Sequence, residues 1–453
     1  MLLTHYLEFI EEGLHSTSEF PGGAVTVTSG RFRVYDVLYG FIELSRDEAR
    51  LIDTSVFQRL RRIKQLSLAN LVYPGAEHTR FAHSLGVYWL ASRVVSRLVE
   101  SGFVDEDEAA LFRIAALLHD IGHLPYSHAI EFYYHLKFRE RISDKFKFHE
   151  KLSHTMILLC DELREVIVSL GYDPKEVVAL LTGTHRDIKL TSLISSDLDV
   201  DRLDYLPRDA HHTGVAYGLI DRERILDTLT VLDDGRIAID EKGIQAVESF
   251  YVARLHMYQA VYYHKTISGY ELYLAKIYEE LVEYDPELNL LASPQGLEKV
   301  IKDSTISIID DYWLYSKMLQ AVKDNYAPKQ VKKRIQNLLS RKGPKTVYNV
   351  SLFTHDPKCI KDAKHVVDVL VDCGVEEDSI LVLETTIKFL GSEDEIVYVK
   401  TRAEDIIPIT EASQLISNLP RYYYVERVYV EREYADKALK CIKKVTHKTY
   451  QKI

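Results

Sequence analysis

The sequence lacks the features that mark membrane, secreted and disulfide-rich proteins. No apolar run approaches the ~18 residues that span a bilayer, and the start, MLLTHYLEFIEEGLHS, carries glutamates instead of the basic segment of a signal peptide. The expected location is therefore the cytoplasm, with no membrane partner. The four cysteines form no CxxC pair, so we expect isolated buried thiols and neither a disulfide nor a zinc framework. They are Cys160, Cys359, Cys373 and Cys441.

Glycine, proline and basic charge are also scarce. The chain has 20 Gly and 12 Pro among 453 residues, with 46% hydrophobic and 28% charged residues, which is typical of a globular protein of two or three domains. The net charge of −11 gives no general basic surface, so nucleic acid is not expected to be the main partner. The local cluster Arg59, Arg61, Arg62 and Lys64 suits a small polyanion as well as a long one, or a solvated helix surface.

The chemistry concentrates where an apolar helical run, LFRIAALL, ends in His119-Asp120. His123 and His128 follow within nine residues. Buried imidazoles and carboxylates need partners, and a metal ion is the partner that suits this pair.

Two further segments supply residues of the same kind. His83 precedes a long amphipathic helix that forms a hairpin with the His119 helix. Five aspartates crowd into residues 197–209, where they repel one another unless a metal or arginines such as Arg202 and Arg208 neutralise them; a solvated acidic helix is the alternative. Two imidazoles and two carboxylates suit a divalent ion, either Mn, Fe, Co, Ni or Zn, or Mg at an oxygen-rich site. The candidate ligands are His83, His119, Asp120 and Asp201.

Four longer motifs give these residues a family context. FQRLRRIKQL, PGAEHTRFAHSLGVYWLA, ALLHDIGHLPYSH and LDVDRLDYLPRDAHHTG resemble the HD-domain metal-dependent phosphohydrolases, in the branch of deoxynucleoside-triphosphate (dNTP) triphosphohydrolases. That branch includes a vertebrate enzyme with a SAM domain beside its HD domain. The resemblance runs from about Tyr35 to the C-terminus.

The resemblance implies a fold and a domain organisation. We expect a mainly α protein, with a helical HD-domain core and a small α+β C-terminal lobe. The predicted domains are an N-terminal extension (1–30), an HD-domain core (31–335, with a hairpin near 226–239) and the lobe (336–453). Residues 56–70 are predicted to form one helix, and Pro207 to kink or end another.

The resemblance also implies an activity and residue roles. Metal-activated water would attack the α-phosphorus of a dNTP and release the deoxynucleoside and inorganic triphosphate. The four candidate ligands match the family's metal site, and His128 matches the group that protonates the leaving 5′ oxygen. The rest of the catalytic cluster is His123, Glu131 and His149. The cations matched to the triphosphate are Arg80, Arg202 and Lys265 or Arg254. The residues matched to the sugar are Gln65, Tyr205, Asp209 and Tyr262. A regulatory nucleotide site at an oligomer interface matches Asp53, Gln58 and Arg61.

The implied partners are a dNTP substrate, a nucleotide activator and further copies of the chain in a homo-oligomer, a dimer or tetramer. Some positions depart from the family pattern: the DPxHG motif is Asp36-Val37-Leu38-Tyr39-Gly40, and Leu124 replaces a glycine. Two other functions stay open. One is another HD-type nucleotide phosphohydrolase, acting as a phosphomonoesterase or phosphodiesterase, and the other is a regulatory nucleotide-binding oligomer.

Overall fold

The structure is a computed structural model that describes residues 32–138, 148–186, 188–194, 196–324, 326–356, 362–390 and 396–449. The predicted N-terminal extension and Cys359 lie outside these ranges. Within them the chain is mainly helical with three small sheets, which confirms the predicted fold class.

The α-helices are, in chain order, α1 Arg46–Ile52, α2 Ser55–Gln58, α3 Arg80–Glu100, α4 Glu106–Leu118, α5 His128–Phe138, α6 Phe148–Leu159, α7 Asp161–Ser169, α8 Pro174–Thr182, α9 Ile188–Ile194, α10 Val200–Thr213, α11 Arg222–Thr228, α12 Ile244–Met257, α13 Lys265–Val282, α14 Pro286–Leu291, α15 Pro294–Lys302, α16 Asp311–Lys323, α17 Lys329–Leu339, α18 Ala363–Asp372, α19 Ile409–Ala412, α20 Gln414–Ser417 and α21 Ala435–Thr449. The strands are β1 Phe32–Asp36, β2 Gly40–Leu44, β3 Leu229–Val231, β4 Ile237–Asp240, β5 Lys345–Thr354, β6 Ile380–Lys388, β7 Tyr398–Lys400, β8 Ile406–Pro408 and β9 Tyr422–Val430.

Three helices, α3, α4 and α10, meet at the candidate site. Buried leucines and valines recur along α3 at helical spacing and pack against the apolar face of α4. Asp105 and Glu108 form a capping box that starts α4, and His119 is its C-cap residue. The apolar helix therefore delivers His119 and Asp120 to the point where α10 crosses α3.

The predicted helix over residues 56–70 is wrong. The α-helix ends at Gln58, a 3₁₀ turn covers Arg59–Arg62, and Ile63 is extended. The reason is a competing backbone pairing: the Arg80 amide donates to the Ile63 carbonyl, and the Gln65 amide to the His78 carbonyl, each at 2.9 Å. These bonds take groups that a continuous helix would need.

Pro207 does not end its helix, because α10 continues to Thr213 with the proline inside it. The predicted hairpin is present as β3 and β4, although the residues just before it form α11. Strand β4 pairs in parallel with β7, joining Ala238 to Tyr398. One sheet thus links segments on both sides of residue 336, and the division into domains stays a prediction.

The C-terminal lobe is an antiparallel sheet in the order β5-β9-β6. Helices α18 and α21 pack together beside it, with Leu370 and Ala438 in a shared core. This packing brings Cys373 and Cys441 together as a disulfide, with their Cα atoms 6.5 Å apart. The expectation of isolated thiols is therefore wrong for this pair, while Cys160 is a buried free thiol.

Within the described residues, no helix combines the length and apolarity that crossing a bilayer requires.

Arg334 of α17 holds the lobe to the helical core. Its guanidinium, only 2% exposed, pairs with Glu280 of α13, with Asp378 at 2.6 Å and with Glu431 at 2.7 Å. Lys276 also pairs with Glu280 and Asp378, so replacing Arg334 with methionine removes above all the cation that pairs with the buried Glu431. We expect the free energy of unfolding to fall by about 3–5 kcal/mol, measured from the midpoint of urea denaturation.

The neighbouring Lys333 is a matched control. It pairs with Glu433, and both side chains are about half exposed. Lys333→Met should change the unfolding free energy by at most about 1 kcal/mol. Equal effects of the two substitutions would show that the buried network does not hold the lobe.

Candidate metal centre and histidine cluster

The four candidate metal ligands converge on one point. The Nε2 atom of His83 lies 3.2 Å from the Nε2 atom of His119 and 3.0 Å from Oδ1 of Asp201. Oxygens of Asp120 lie 3.6 Å from each of these ring nitrogens. Residues more than a hundred positions apart thus meet. The ligand atoms of His83, His119 and Asp201 lie close enough together to hold a metal ion, and Asp120 adds a second carboxylate beside them.

The hydrogen bonds behind the two imidazoles show that the set fits a metal. His119 Nδ1 lies 2.8 Å from the Ala116 carbonyl, and His83 Nδ1 lies 2.8 Å from an oxygen of Asp204. A carbonyl only accepts, and so does a carboxylate, so both Nδ1 atoms carry protons and both Nε2 atoms point inward, where a metal ion can bind in place of a proton. Two Nε2 atoms 3.2 Å apart repel each other unless a cation, either a proton or a metal ion, lies between them.

The charges around the two rings favour the same cation. Burial works against protonation, but hydrogen bonds to Asp201 and Asp204 raise the pKa of His83 to about 10. Burial is likewise outweighed at His119, whose pKa is raised chiefly by Asp120. The carboxylates therefore demand positive charge at the ring nitrogens.

Arg80, predicted to grip the triphosphate, is buried against a ligand. Its Nη1 donates to Asp120 at 2.6 Å, its Nε to the Ser127 hydroxyl at 3.1 Å and its Nη2 to the Gln65 carbonyl at 3.2 Å. In this arrangement Arg80 orients Asp120 and fixes the backbone of Gln65.

The predicted catalytic cluster is assembled around Glu131. One carboxylate oxygen lies 2.8 Å from His149 Nδ1 and 3.1 Å from His123 Nδ1, and the other lies 3.3 Å from His128 Nδ1. The rings of His123 and His149 stack at 3.9 Å, and His123 Nε2 approaches Asp120 at 3.4 Å. Three histidines and one carboxylate thus form a continuous polar wall beside the metal ligands.

The acid–base properties differ within this wall. Burial, reinforced by Arg80, lowers the pKa of His123 to about 3, so this ring is neutral. Although half of the His128 side chain is exposed, the protein packed around the ring lowers its pKa, and Glu131 acts in the opposite direction. Burial also opposes ionisation of Glu131, but His149 and His128 hold its pKa well below the usual range.

The turn that carries His123 is held by buried charged groups. The guanidinium of Arg59, fully buried, donates to the carbonyls of Ile121 and His123 at 2.5 and 2.8 Å. Asp311 accepts from the Tyr126 amide at 2.6 Å. Arg59 is therefore a structural anchor of the turn that carries His123, and the interpretation of this arginine as part of a solvated face is wrong.

Three of the residues matched to the sugar lie together. Tyr205 and Asp209 are on α10, and Tyr262 ends the π-helix that follows α12. The Tyr262 hydroxyl donates to Asp209 at 2.9 Å, and the Tyr205 and Tyr262 rings meet edge to face at 5.7 Å. His78 Nε2 lies 2.7 Å from the second oxygen of Asp209. Residues Tyr258–Tyr262 form a π-helix, a feature that frequently occurs at functional sites.

The remaining matched cations have different surroundings. Arg202 pairs with Asp199 and donates to the Ser196 carbonyl at 2.6 Å. Arg254 is buried and lies 3.4 Å from Asp197. Lys265 is exposed at the first position of α13.

The three residues matched to a regulatory site are neighbours near the surface. Arg61 Nε donates to the Gln58 side chain at 2.8 Å, and its guanidinium lies 3.5 Å from the centre of the Phe81 ring. Burial lowers the pKa of Arg61, and Asp53 opposes this.

Several contributors escape reasoning from sequence motifs. Asp204 contacts His83, Arg59 holds the catalytic turn, and Asp311 supports it from more than 180 residues away. Arg208 offered a signal, because an arginine four residues after Asp204 on a helix can neutralise it. The structure contains that pair at 2.8 Å.

Two family models match the chain. The HD domain matches residues 80–209, and the HD associated region matches residues 220–448. An uncharacterized protein of Bacillus subtilis is 43% identical over 234 residues, which cover 50% of this chain and 50% of that protein. This chain therefore spans about half the length of that relative.

Two further comparisons cover more of the chain. The deoxynucleoside triphosphate triphosphohydrolase SAMHD1 homolog of Dictyostelium discoideum is 26% identical over 413 residues, 88% of this chain and 76% of that protein. The crystal structure of a phosphohydrolase from Bacteroides thetaiotaomicron has a TM-score of 0.72 and 27% identity, covering 89% of this chain and 100% of that one. With all four candidate ligands inside the HD match and the HD associated region spanning half of the sequence, the chain belongs to the HD-domain family of phosphohydrolases, which bind divalent metal ions.

Proposed function

We propose that the protein hydrolyses dNTPs to the deoxynucleoside and inorganic triphosphate. The observation that carries the proposal is the hydrogen bond of 2.9 Å from the Tyr262 hydroxyl to Asp209. Asp209 lies on α10, the helix that also presents Asp201. Asp209 is eight positions after Asp201, about 12 Å along a helix, with Tyr205 midway. That spacing suits a nucleoside whose phosphate end meets the metal ligands and whose sugar meets the tyrosines.

His83, His119, Asp120 and Asp201 would hold the ion. A divalent ion supplies Lewis acidity, which neutralises phosphate charge and makes attack by water feasible near neutral pH. In the reaction, the water oxygen bonds to the α-phosphorus and the bond to the 5′ oxygen breaks. His128 would donate the proton that the 5′ oxygen needs, from Nε2, because its Nδ1 faces Glu131.

The cations would bind the triphosphate. Arginine forks match phosphate oxygens. Arg202 lies on α10 and Arg254 on α12, two helices that are in contact, and the exposed Lys265 follows in the sequence. Gln65 would read the 3′-hydroxyl. Tyr262 would pack against the deoxyribose where a ribose carries its 2′-hydroxyl, a contact that gives modest discrimination on its own.

The regulatory part of the proposal is separate. A guanine nucleotide would bind at Asp53, Gln58 and Arg61 in a homo-oligomer, in the cytoplasm. The contacts between Gln58 and Arg61 support a preformed polar surface there.

Product analysis tests the proposed reaction. Purified protein is incubated with each dNTP and NTP, with Mn²⁺, Mg²⁺, Co²⁺, Ni²⁺, Fe²⁺ or Zn²⁺, and with dGTP or dATP added as activator. Chromatography should show deoxynucleoside and triphosphate in equal amounts. Free phosphate or nucleotide monophosphate would indicate another HD phosphohydrolase, and no turnover under any condition would contradict the proposal.

A further inference from the structure

A buried carboxylate behind His83 connects the metal centre to the antiparallel hairpin of β1 and β2, called the N-terminal hairpin below. Asp204 is fully buried and accepts hydrogen bonds from three residues. One oxygen faces His83 Nδ1 at 2.8 Å and Arg208 Nε at 2.8 Å; the other faces the Tyr39 hydroxyl at 2.7 Å and Arg208 Nη2 at 3.0 Å. Arg208 also pairs with Asp36 at 2.8 Å. Nothing in the proposed chemistry uses these groups directly.

The donor arrangement fixes which way Asp204 points. Two oxygens with four short contacts leave its carboxylate one orientation. His83 is thereby held with Nδ1 protonated and Nε2 directed at the ligand set. A carboxylate in this position also makes an imidazole a stronger ligand.

Tyr39 is itself held in place by the hairpin turn. Asp36 accepts from the backbone amides of Leu38 at 2.9 Å and Tyr39 at 3.2 Å, and the Tyr39 ring stacks on Trp89 of α3 at 4.2 Å. Since Trp89 lies on the helix that carries His83, the hairpin is packed against the same helix whose histidine it supports.

The sequence of α3 makes room for this network. A Cβ atom on Gly86, one turn after His83, would lie 2.0 Å from an oxygen of Asp204 and 2.4 Å from Nη2 of Arg208. Only glycine therefore lets the carboxylate reach the histidine. An alanine would favour the helix and displace the carboxylate.

We propose that Asp204 is the positioning residue of the metal centre, and that Tyr39 and Gly86 seat it, so the N-terminal hairpin sets the affinity for the metal. This inference rests on the proposed ligand set, and its test does not require dNTP hydrolysis.

The test measures Co²⁺ binding to the full chain by competition with a fluorescent chelator, together with the Co²⁺ absorption spectrum. Asp204→Asn should bind Co²⁺ about 10–100-fold more weakly and shift the spectrum. Tyr39→Phe, which removes one hydroxyl, should bind about 3–10-fold more weakly. Gly86→Ala should also weaken binding, even though it improves helix propensity.

Tyr88→Phe is the matched control. The Tyr88 hydroxyl donates to Glu48 at 2.7 Å from the same helix, but touches no ligand. Loss of the Tyr88 hydroxyl should lower the melting temperature of the metal-free protein about as much as Tyr39→Phe does. The Tyr88→Phe variant should bind Co²⁺ with the same affinity as the parent protein. Rescue of binding in Asp204→Glu relative to Asp204→Asn would further support a positioning role.

Two results would overturn the inference. One is an affinity for Co²⁺ in Tyr39→Phe and Gly86→Ala that equals that of the parent protein. These two variants keep every candidate ligand, so their Co²⁺ binding can be measured even if Asp204→Asn fails to fold. The other is equal weakening in Tyr88→Phe, which would mean a general loss of structure. A parent protein that binds no Co²⁺ would contradict the metal centre and this inference together, whereas absent dNTP hydrolysis would contradict only the proposed function.

Discussion

Asp201→Asn is expected to lower the turnover of the preferred dNTP by about 10³-fold, because loss of a metal ligand forfeits several kcal/mol of transition-state stabilisation. Oδ1 of Asp201 lies 3.0 Å from His83 Nε2 and 3.7 Å from His119 Nε2. An amide keeps the shape of the side chain and removes its charge. The measurement is steady-state hydrolysis together with metal content after dialysis.

Chelation of the metal, followed by its re-addition, tests this prediction further. Chelation should abolish turnover of the parent, and added Mn²⁺ or Co²⁺ should restore it. At the metal concentration that restores the parent, Asp201→Asn should stay inactive. At higher metal concentrations it should recover only part of its activity. Asp221→Asn is the control, because Asp221 is an exposed aspartate that also stands at the start of a helix, as an N-cap residue that accepts from the Arg224 amide at 3.0 Å. Full activity of Asp201→Asn without added metal would remove Asp201 from the centre.

Sequence reasoning succeeded where the chemistry is local. His119 and Asp120 are adjacent at the end of an apolar helix, so helical periodicity alone predicts a buried helix that delivers two polar groups to one place. The aspartates of residues 197–209 repel each other in any structure, so a cationic partner could be inferred before any contact was known. The structure shows that Arg208 neutralises Asp204 and Arg202 neutralises Asp199.

The sequence does not predict the structure where contacts between segments far apart in the chain determine it. Residues 59–70 have helical periodicity, but pairing of Ile63 and Gln65 with residues 78–80 replaces the helix. Arg59 has the composition of a surface residue, yet three carbonyls from distant segments surround its guanidinium. The bond from Tyr39 to Asp204 joins residues 165 positions apart, and no local pattern predicts such a contact.

The second large effect is expected at His128, the proposed proton donor to the leaving group. His128→Asn should lower kcat by about 10²–10⁴-fold, the usual contribution of a general acid. Glu131→Gln should have a smaller effect on kcat and a distinct effect on its pH dependence. Glu131 raises the pKa of His128 against the lowering by the surrounding protein. Without that charge, the pKa of His128 falls further.

The sign of the pH effect follows from the role of an acid. A general acid works only while protonated, so kcat falls as pH rises through the pKa of His128. In Glu131→Gln this descending limb should move to lower pH, and in His128→Asn it should disappear. His256→Asn, a change at an exposed histidine, should leave the limb where it is. An unchanged limb in Glu131→Gln would mean that another group supplies the proton.

A substrate that needs no proton separates the acid role from a purely structural one. A dNTP analogue with sulfur in place of the 5′ oxygen releases a thiolate, whose conjugate acid has a pKa near 8.5, far below that of an alcohol. The loss in His128→Asn should therefore shrink to within about tenfold with the thio analogue, while the loss in Asp201→Asn should persist. If both variants lose equally with both substrates, His128 contributes to the shape of the site and does not protonate the leaving group.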